Sequence, residues 1–319
     1  MSDSRSKPGA GQSRLEGLAL AAALLTVTLW ASGFVGIRAV APHISPGPFA
    51  LGRLLVGSLA LGLIVAIRRP AMPPLRTVPL LITCGVVWFA LYTVTLNTAE
   101  RYVDAGTAAM LVNVGPILIA ILGGLFLGEG FPRRLFAGCL VAFSGAVVIG
   151  LATSSSVAAS DQATLGIVLC LVAAAAYATG VTLQKPAVAT TPALTVTWAS
   201  CVFGAVACLP FAPQLVAEIG SAEPSVVAWL VYLGLFPTAL AFTTWAYALS
   251  HTTAGRLGSM TYLVPALTVV LGWVLLGEAP PPLALIGGGV AIGGVILARW
   301  APSPRAAPAQ AAPFSAEVD

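Results

Sequence analysis

Long apolar runs dominate the chain, and short segments with charged residues or prolines separate them. Ten runs can be placed, at roughly 17–37, 48–67, 78–98, 105–127, 135–152, 165–184, 193–211, 226–249, 254–276 and 283–300. Each is close to the ~20 residues that a helix needs to cross a hydrocarbon core of about 30 Å. Strands of a membrane β-barrel would instead alternate apolar and polar residues. The pattern therefore predicts an all-α membrane protein with ten transmembrane helices.

The composition excludes a water-soluble protein. Of the 319 residues, 58% are hydrophobic and only 8% are charged, whereas a soluble domain carries about 25% charged residues. The charges cannot cover a water-facing surface, so the expected surroundings are a lipid bilayer. A net charge of +4 spread over short connections is not the clustered basic surface that binds nucleic acid. The polar residues 1–16 and the Ala- and Pro-rich residues 301–319 are predicted to be disordered.

The positions of lysine and arginine predict the orientation. If the N-terminus is cytoplasmic, the outside loops contain only Arg38 and Arg101. The inside segments then contain twelve basic residues, namely Arg5, Lys7, Arg14, Arg68, Arg69, Arg76, Arg133, Arg134, Lys185, Arg256, Arg299 and Arg305. This asymmetry is the positive-inside bias of membrane proteins. It predicts a multi-pass protein of the bacterial inner membrane with both termini in the cytoplasm.

The chain contains an internal repeat. Residues 105–150 match residues 254–299 without gaps at an offset of 149, including two prolines, several glycines and a Gly-Glu pair. A weaker match aligns residues 30–33 with 177–180. The two halves, 17–152 and 165–300, then hold five predicted spans each. Because five is odd, the second half enters the membrane from the opposite side, which predicts an inverted repeat of the kind found in secondary transporters.

The repeated motifs resemble the EamA family of the drug/metabolite transporter superfamily. The family pattern is Ala-Gly-x-Ala-Ala, a mid-helix proline and Leu-Leu-Gly-Glu. It is found at 105–129, with Phe126 in place of the first of these leucines, and again at 254–278, with changes at 256–258. Arg53 resembles an arginine early in the second helix of the family. The resemblance covers about residues 17–300. It implies ten helices, cytoplasmic termini and export of amino acids, other metabolites or toxic compounds.

Polar and aromatic side chains within the spans are the candidates for a substrate cavity. They are Trp88, Tyr92, Asn113, Tyr177, Trp245 and Tyr262. Each could instead mark the membrane interface or pack within the bundle. Their grouping around two predicted helix breaks, at Pro116 and Pro265, favours a cavity between the two halves.

Three charged residues are candidates for gating or coupling. Arg53 lies within a predicted span, where a charge is costly and is either functional or internally paired; it could also reach the nearby surface. Glu129 and Glu278 end the two copies of the motif. Either they carry protons, or they accept hydrogen bonds from amides at the start of the next helix, and Glu129 could also pair with Arg133. No carboxylate lies near the middle of a span, so we expect weak or no proton coupling.

Secondary transport by alternating access is therefore the expected function, with export of small organic metabolites, such as amino acids, or of drugs. A nucleotide-sugar or sugar-phosphate carrier is an alternative, although such an anionic substrate would need more inward basic residues than Arg53 and Arg38. A membrane enzyme is a weaker alternative, because no predicted span contains the His or Asp of a catalytic pair or a metal site. We predict no catalytic residue, metal or cofactor.

Small residues suggest how the helices pack. The pairs Gly124/Gly128 and Gly289/Gly293 fit close helix contacts, either within the bundle or in a homodimer. The five cysteines lie in apolar runs and form no Cys-x-x-Cys pair. They are predicted to be buried small side chains rather than metal ligands or disulfides.

Overall fold

The computed structural model describes residues 10–40, 42–102, 108, 111–153, 161–276 and 282–300, and every regular element in them is helical. In chain order these are α1 (Ala10–Val40), α2 (Pro46–Arg68), α3 (Leu75–Ala99), α4 (Gly115–Phe126), α5 (Arg133–Thr153), α6 (Asp161–Thr190), α7 (Ala193–Ala207), α8 (Leu209–Ser221), α9 (Pro224–His251), α10 (Ala254–Ser259, continued through a tight turn as Leu263–Leu276) and α11 (Pro282–Arg299).

Eight of the described helices are long and apolar enough to cross a membrane. The pair α7 and α8, bent by 53°, would add a ninth, and α4 is a shorter apolar helix of 12 residues. Residues 105–107, 109 and 110, which belong to the predicted fourth span, lie outside the described residues. The structure thus confirms an all-helical, multi-pass architecture, whereas the number ten stays a prediction.

Pro116 and Pro265 each follow a break in a helix rather than forming its centre. α4 begins at Gly115 after a turn at residues 113–114, so Pro116 lies in its first turn, where the missing N–H breaks no hydrogen bond. In α10 the 3₁₀ turn Met260–Tyr262 precedes the part that contains Pro265. Both breaks therefore lie a few residues before the prolines.

A π-helical segment lies at the same place in each half. The segments are Gly85–Leu91 in α3 and Gly234–Leu240 in α9, and they are again 149 residues apart. Such widened turns are rare and frequently occur at functional sites. Their matched positions show that the repeat extends from the sequence to the local backbone conformation.

Two helices, α5 and α11, touch along their backbones. A Cβ atom at Gly145 would lie 2.5 Å from the amide nitrogen of Ala291, and one at Gly294 would lie 2.3 Å from that of Ala142. The two contacts are related by the offset of 149, so each helix presents glycine to the alanine of the other. This α5–α11 seam leaves no room for a larger side chain at either glycine.

The two predicted glycine pairs behave differently from expectation. Gly128 lies beyond the end of α4 with a φ of 66°, so Gly124 and Gly128 do not form one helix face, and that interpretation is wrong. Gly289 and Gly293 are exposed, and a Cβ atom at either would meet no described atom within 4 Å. They do not pack within the described part of the chain, and a homodimer contact there stays a prediction. All five cysteines are buried and free, as expected.

Candidate functional site

Seven aromatic side chains form one cluster to which both halves contribute. They are Trp30 of α1, Trp88, Phe89 and Tyr92 of α3, Tyr177 of α6, and Phe242 and Trp245 of α9, called the aromatic cluster below. The ring of Trp88 is central, with centroid distances of 5.6 Å to Tyr177, 5.0 Å to Phe242 and 6.2 Å to Trp245. Edge-on and tilted contacts of this kind are the favoured arrangement of aromatic pairs.

The aromatic cluster is closed in this conformation. Trp88 is 1% exposed and Trp245 is 0% exposed, and Tyr177 and Phe242 are also buried. The structure thus brings together four of the six predicted cavity residues, because Tyr92 also contacts Tyr177 at 6.1 Å between ring centroids. The rings pack against one another, so a substrate could bind among them only after they separate.

Some polar atoms near this cluster are buried without a partner. The indole N–H of Trp245 and the hydroxyl of Tyr262 have no hydrogen-bond partner in the part of the chain that the structure describes. An unsatisfied buried donor costs about 1–3 kcal/mol, so such a group in a native protein requires an explanation. A substrate that accepts a hydrogen bond from Trp245 would remove this cost.

The last two predicted cavity residues border the aromatic cluster. Tyr262 is fully buried, and its ring contacts Phe143 at 6.4 Å between centroids. Asn113 is 9% exposed and lies in the turn before α4. Two residues further on, a Cβ atom at Gly115 would lie 2.7 Å from the Tyr177 ring. The start of α4 therefore lies against the aromatic cluster at Gly115.

The π-helical segments position the aromatic cluster. Trp88 lies in the first segment and Pro237 at the equivalent position of the second. A Cβ atom at Gly180 would lie 2.3 Å from Trp88, and one at Gly33 would lie 3.4 Å from Pro237. Trp30 donates its indole N–H to the Pro237 carbonyl at 3.2 Å. A glycine of the opposite half thus packs against each π-helical segment: Gly180 of α6 contacts α3, and Gly33 of α1 contacts α9.

Arg53 is held by one hydrogen bond. Its Nε atom donates to the Thr238 hydroxyl, 3.1 Å away in the second π-helical segment. Thr238 in turn donates to the Leu233 carbonyl at 2.8 Å. The Arg53 side chain is half-buried. Arg53 therefore links α2 to the second π-helical segment of α9.

Glu129 does meet amides at the start of a helix, but at a different helix from the one expected. Its two carboxylate oxygens accept hydrogen bonds from the backbone amides of Ala254 (2.6 Å) and Gly255 (3.0 Å), which begin α10 in the other half. The cause is local: Gly128 and Gly130 have φ values of 66° and 67°, and these left-handed residues turn the chain away from α5. The expectation that Glu129 acts on its own next helix is wrong.

Lys185 holds the other end of the same connection. Its ammonium group donates to the carbonyls of Leu249, at 2.6 Å, and Thr252. These are among the last carbonyls of α9, where a positive charge is favourable. The short connection between α9 and α10 is therefore held by hydrogen bonds from Lys185 at its start and to Glu129 at its end.

Two functional candidates were not evident from the sequence, and one predicted residue lies outside the described part. Glu278 belongs to residues 277–281, which the structure does not describe. Trp30 and Phe242 belong to the aromatic cluster but are not among the predicted cavity residues. The alignment of Trp30 with Tyr177 in the repeat was a signal for Trp30.

A helical membrane bundle with a central cluster shared by two repeated halves has the organisation of a transporter. The model of the EamA-like transporter family matches this chain twice, over residues 17–151 and 164–300. The chain therefore belongs to the EamA-like transporter family, in agreement with the resemblance of its repeated motifs.

Several characterised or named proteins are similar along most of their length. A probable terminal-alkyne amino-acid exporter of Streptantibioticus cattleyicolor is 36% identical over 278 residues, which cover 86% of this chain and 91% of that protein. The uncharacterized transporter YdfC of Bacillus subtilis is 34% identical and covers 85% and 87%. A probable amino-acid metabolite efflux pump of Salmonella typhimurium is 24% identical and covers 86% and 92%. A crystal structure with 20% identity matches with a TM-score of 0.73, over 88% of this chain and 96% of that one, and supports the fold.

Proposed function

We propose that this protein is a secondary transporter that exports amino acids or related small metabolites from the cytoplasm by alternating access. The observation that carries the proposal is the aromatic cluster, which contains side chains from both halves and a buried indole N–H without a partner. The names of two relatives, an amino-acid exporter and an amino-acid metabolite efflux pump, support the substrate class. A site built at the junction of two halves can open to either side when the halves rotate relative to each other.

The proposed architecture is ten transmembrane helices arranged as an inverted repeat. Its support comes from contacts that recur with the two halves exchanged. A Cβ atom at Gly57 would lie 3.2 Å from the Gly234 carbonyl, and one at Gly204 would lie 3.0 Å from the Gly85 carbonyl. These pairs occupy equivalent positions, as do the pairs of the α5–α11 seam. Contacts that recur with the two halves exchanged are the pattern expected of a two-fold axis in the membrane plane.

Both termini are proposed to lie in the cytoplasm of a bacterial cell, as the distribution of basic residues favours. The connection between α9 and α10, to which Glu129 and Lys185 are hydrogen-bonded, then lies on the cytoplasmic side. Since the aromatic cluster is also closed, the described conformation corresponds to a state in which the route from the cytoplasm is shut. Inward opening would have to release the contacts of Glu129 with α10.

Export is tested in a bacterial strain that lacks its own amino-acid exporters. Expression of the chain should raise tolerance to at least one amino acid or amino-acid analogue and lower the amount that cells retain. Trp88→Ala at equal membrane abundance is the control for activity at the aromatic cluster. If no amino acid, analogue or cationic toxin shows altered retention, the proposed export is wrong. Altered retention of sugar nucleotides alone would favour the nucleotide-sugar alternative.

A further inference from the structure

We propose that the ends of α5, α10 and α11 that face the cytoplasm in the proposed orientation form a binding surface for the headgroup of an anionic phospholipid. This surface, called the arginine surface below, consists of Arg133 and Arg134 of α5, Arg256 of α10, Arg299 of α11 and the adjacent Trp300. The inference goes beyond the proposed export function, because it concerns the membrane around the protein and does not depend on the transported molecule.

The α5–α11 seam brings the first two helix ends together. A Cβ atom at Gly138 of α5 would lie 2.3 Å from the amide nitrogen of Ala298, the residue before Arg299. Arg134 precedes Gly138 by four residues, so it lies on the same face of α5, one turn nearer the cytoplasm. Arg134 is therefore located beside the end of α11, where Arg299 lies.

The start of α10 reaches the same place. A Cβ atom at Gly255 would lie 2.8 Å from the side chain of Leu135, the residue that follows Arg134. Arg256 donates from Nη2 to the backbone carbonyl of Arg299. Arginines from three helices are thus held close together by packing and by a backbone contact.

The charges of this surface are not matched by acidic partners. Arg133 and Arg134 are exposed, and within the described residues no carboxylate lies within ion-pair distance of either or of Arg299. Arg299 donates from Nη1 to the Met260 sulfur at 3.2 Å, and a thioether is a weak acceptor. Glu129 lies just before α5, but both its oxygens accept from amides of α10. The arginines therefore keep donors for an external anion.

The position of the surface favours a lipid over a free anion. α5 begins and α11 ends at these arginines, and both helices can cross a membrane, so the arginines lie at the level of the lipid headgroups. Trp300 is 71% exposed, and tryptophan is enriched at this interface. Its amide donates to the carbonyl of Ile296, another exposed apolar residue of α11. Acyl chains can cover these two side chains, which free phosphate cannot.

A phosphodiester provides the complementary chemistry. Its oxygens can accept two parallel hydrogen bonds from one guanidinium, and basic residues at the cytoplasmic surface attract anionic lipids. A lipid bound at the arginine surface would join the ends of three helices, at one end of the α5–α11 seam. Its binding should therefore also stabilise the folded protein against heat.

The test measures lipid preference directly. The full-length protein in detergent is mixed with equal amounts of phosphatidylglycerol and phosphatidylcholine with the same acyl chains, and native mass spectrometry compares the bound lipids. The unaltered protein should bind phosphatidylglycerol preferentially. Phosphatidylglycerol should also raise the unfolding temperature more than phosphatidylcholine does. Inorganic phosphate added in excess should not displace the bound lipid.

Variants assign the preference to this surface. Arg134→Gln combined with Arg299→Gln should reduce the preference for phosphatidylglycerol at least about tenfold. Arg133→Gln combined with Arg134→Gln changes only exposed side chains; it should also reduce the preference, and it serves if the first variant does not fold. Arg68→Gln combined with Arg76→Gln removes the same charge at exposed positions outside the surface and should keep the preference.

Several results would overturn the proposal. One is equal binding of the two lipids by the unaltered protein. Another is an equal loss of preference in the variant at Arg68 and Arg76, which would indicate general attraction to basic residues rather than a site. Displacement by inorganic phosphate would show that the surface binds free phosphate instead. Because lipid binding is measured without transport, these results and a failure of the proposed export are distinguishable.

Discussion

The carboxylate of Glu129 lies 2.6 Å from the backbone amide nitrogen of Ala254, across 125 residues of sequence. The bond joins the end of a motif in the first half to the start of the equivalent motif in the second. Glu129 is only 8% exposed, so the bond is shielded from water and correspondingly strong. Ala254 and Gly255 correspond in the repeat to residues 105 and 106, and Glu129 corresponds to Glu278. The motif thus contains both the carboxylate and the amides of such a contact.

Replacing Glu129 should weaken the folded protein. In Glu129→Gln one oxygen remains for an amide, but the new NH₂ group cannot accept from the other. We expect a loss of about 1–3 kcal/mol for the unsatisfied buried amide, and a larger loss for Glu129→Ala, which leaves two. Thermal unfolding of the protein in detergent measures this, with Glu223→Gln at an exposed position as the control. Unchanged unfolding temperatures in both Glu129 variants would contradict the contact.

Proton coupling is expected to be weak. The two oxygens of Glu129 are occupied by amides, and no Asp or Glu lies near the middle of a described membrane span. In liposomes, a pH gradient without a substrate gradient should therefore drive little accumulation. Strong uptake that Glu129→Gln or Glu278→Gln abolishes would show instead that these carboxylates carry protons.

The indole N–H of Trp245 should matter more for transport than for stability. Trp245→Phe keeps an aromatic ring in the cluster and removes a donor that has no described partner. The folded protein should lose less than the ~3–5 kcal/mol of a truncation to alanine. Transport of a substrate that accepts from this donor should fall at least about tenfold. Trp229→Phe, at a partly exposed position of the same helix, is the matched control, and equal transport by the two variants would argue against a binding role.

The α5–α11 seam offers a comparison between neighbouring glycines. Gly294→Val should reduce stability by at least the ~1–3 kcal/mol of overpacking, because a Cβ atom there would lie 2.3 Å from the Ala142 nitrogen. Gly293→Val, one residue earlier, points into open space and should fold normally. Membrane abundance and size-exclusion profiles of the two variants distinguish them. Similar behaviour of both would mean that the helices are not in backbone contact.

Reporter fusions test the proposed topology. Fusions after Arg69, Arg134, Lys185 and the C-terminus should report the cytoplasm, and fusions after Asp161 and Glu223 should report the outside. An external C-terminus would contradict both the even number of spans and the inverted repeat.

Hydropathy was sufficient to predict an all-helical, multi-pass membrane protein because lipid imposes one simple requirement on each span. It could not predict α8, Leu209–Ser221, since a short helix that bends away from α7 by 53° follows from local turns rather than from bilayer thickness. Hydropathy also could not predict the hydrogen-bond partner of Glu129. That partner depends on two left-handed glycines that redirect the chain, and their effect appears only in three dimensions.

The aromatic cluster was partly predictable for a different reason. Trp88 and Tyr92 were identifiable by their helical spacing, and Tyr177 by its place in the repeat. Their closed packing was not, because a sequence does not specify whether large rings surround a space or fill it.

The α5–α11 seam also limits how the molecule can change shape. Where backbones touch at Gly145 and Gly294, no side chain is available that could change rotamer and absorb sliding. We therefore expect this seam to be the least displaced part of the protein during a transport cycle, while the more distant helices rotate about it. The distance between two probes attached beside the seam should stay nearly constant during transport, whereas the distance from the seam to a probe on α2 or α9 should change.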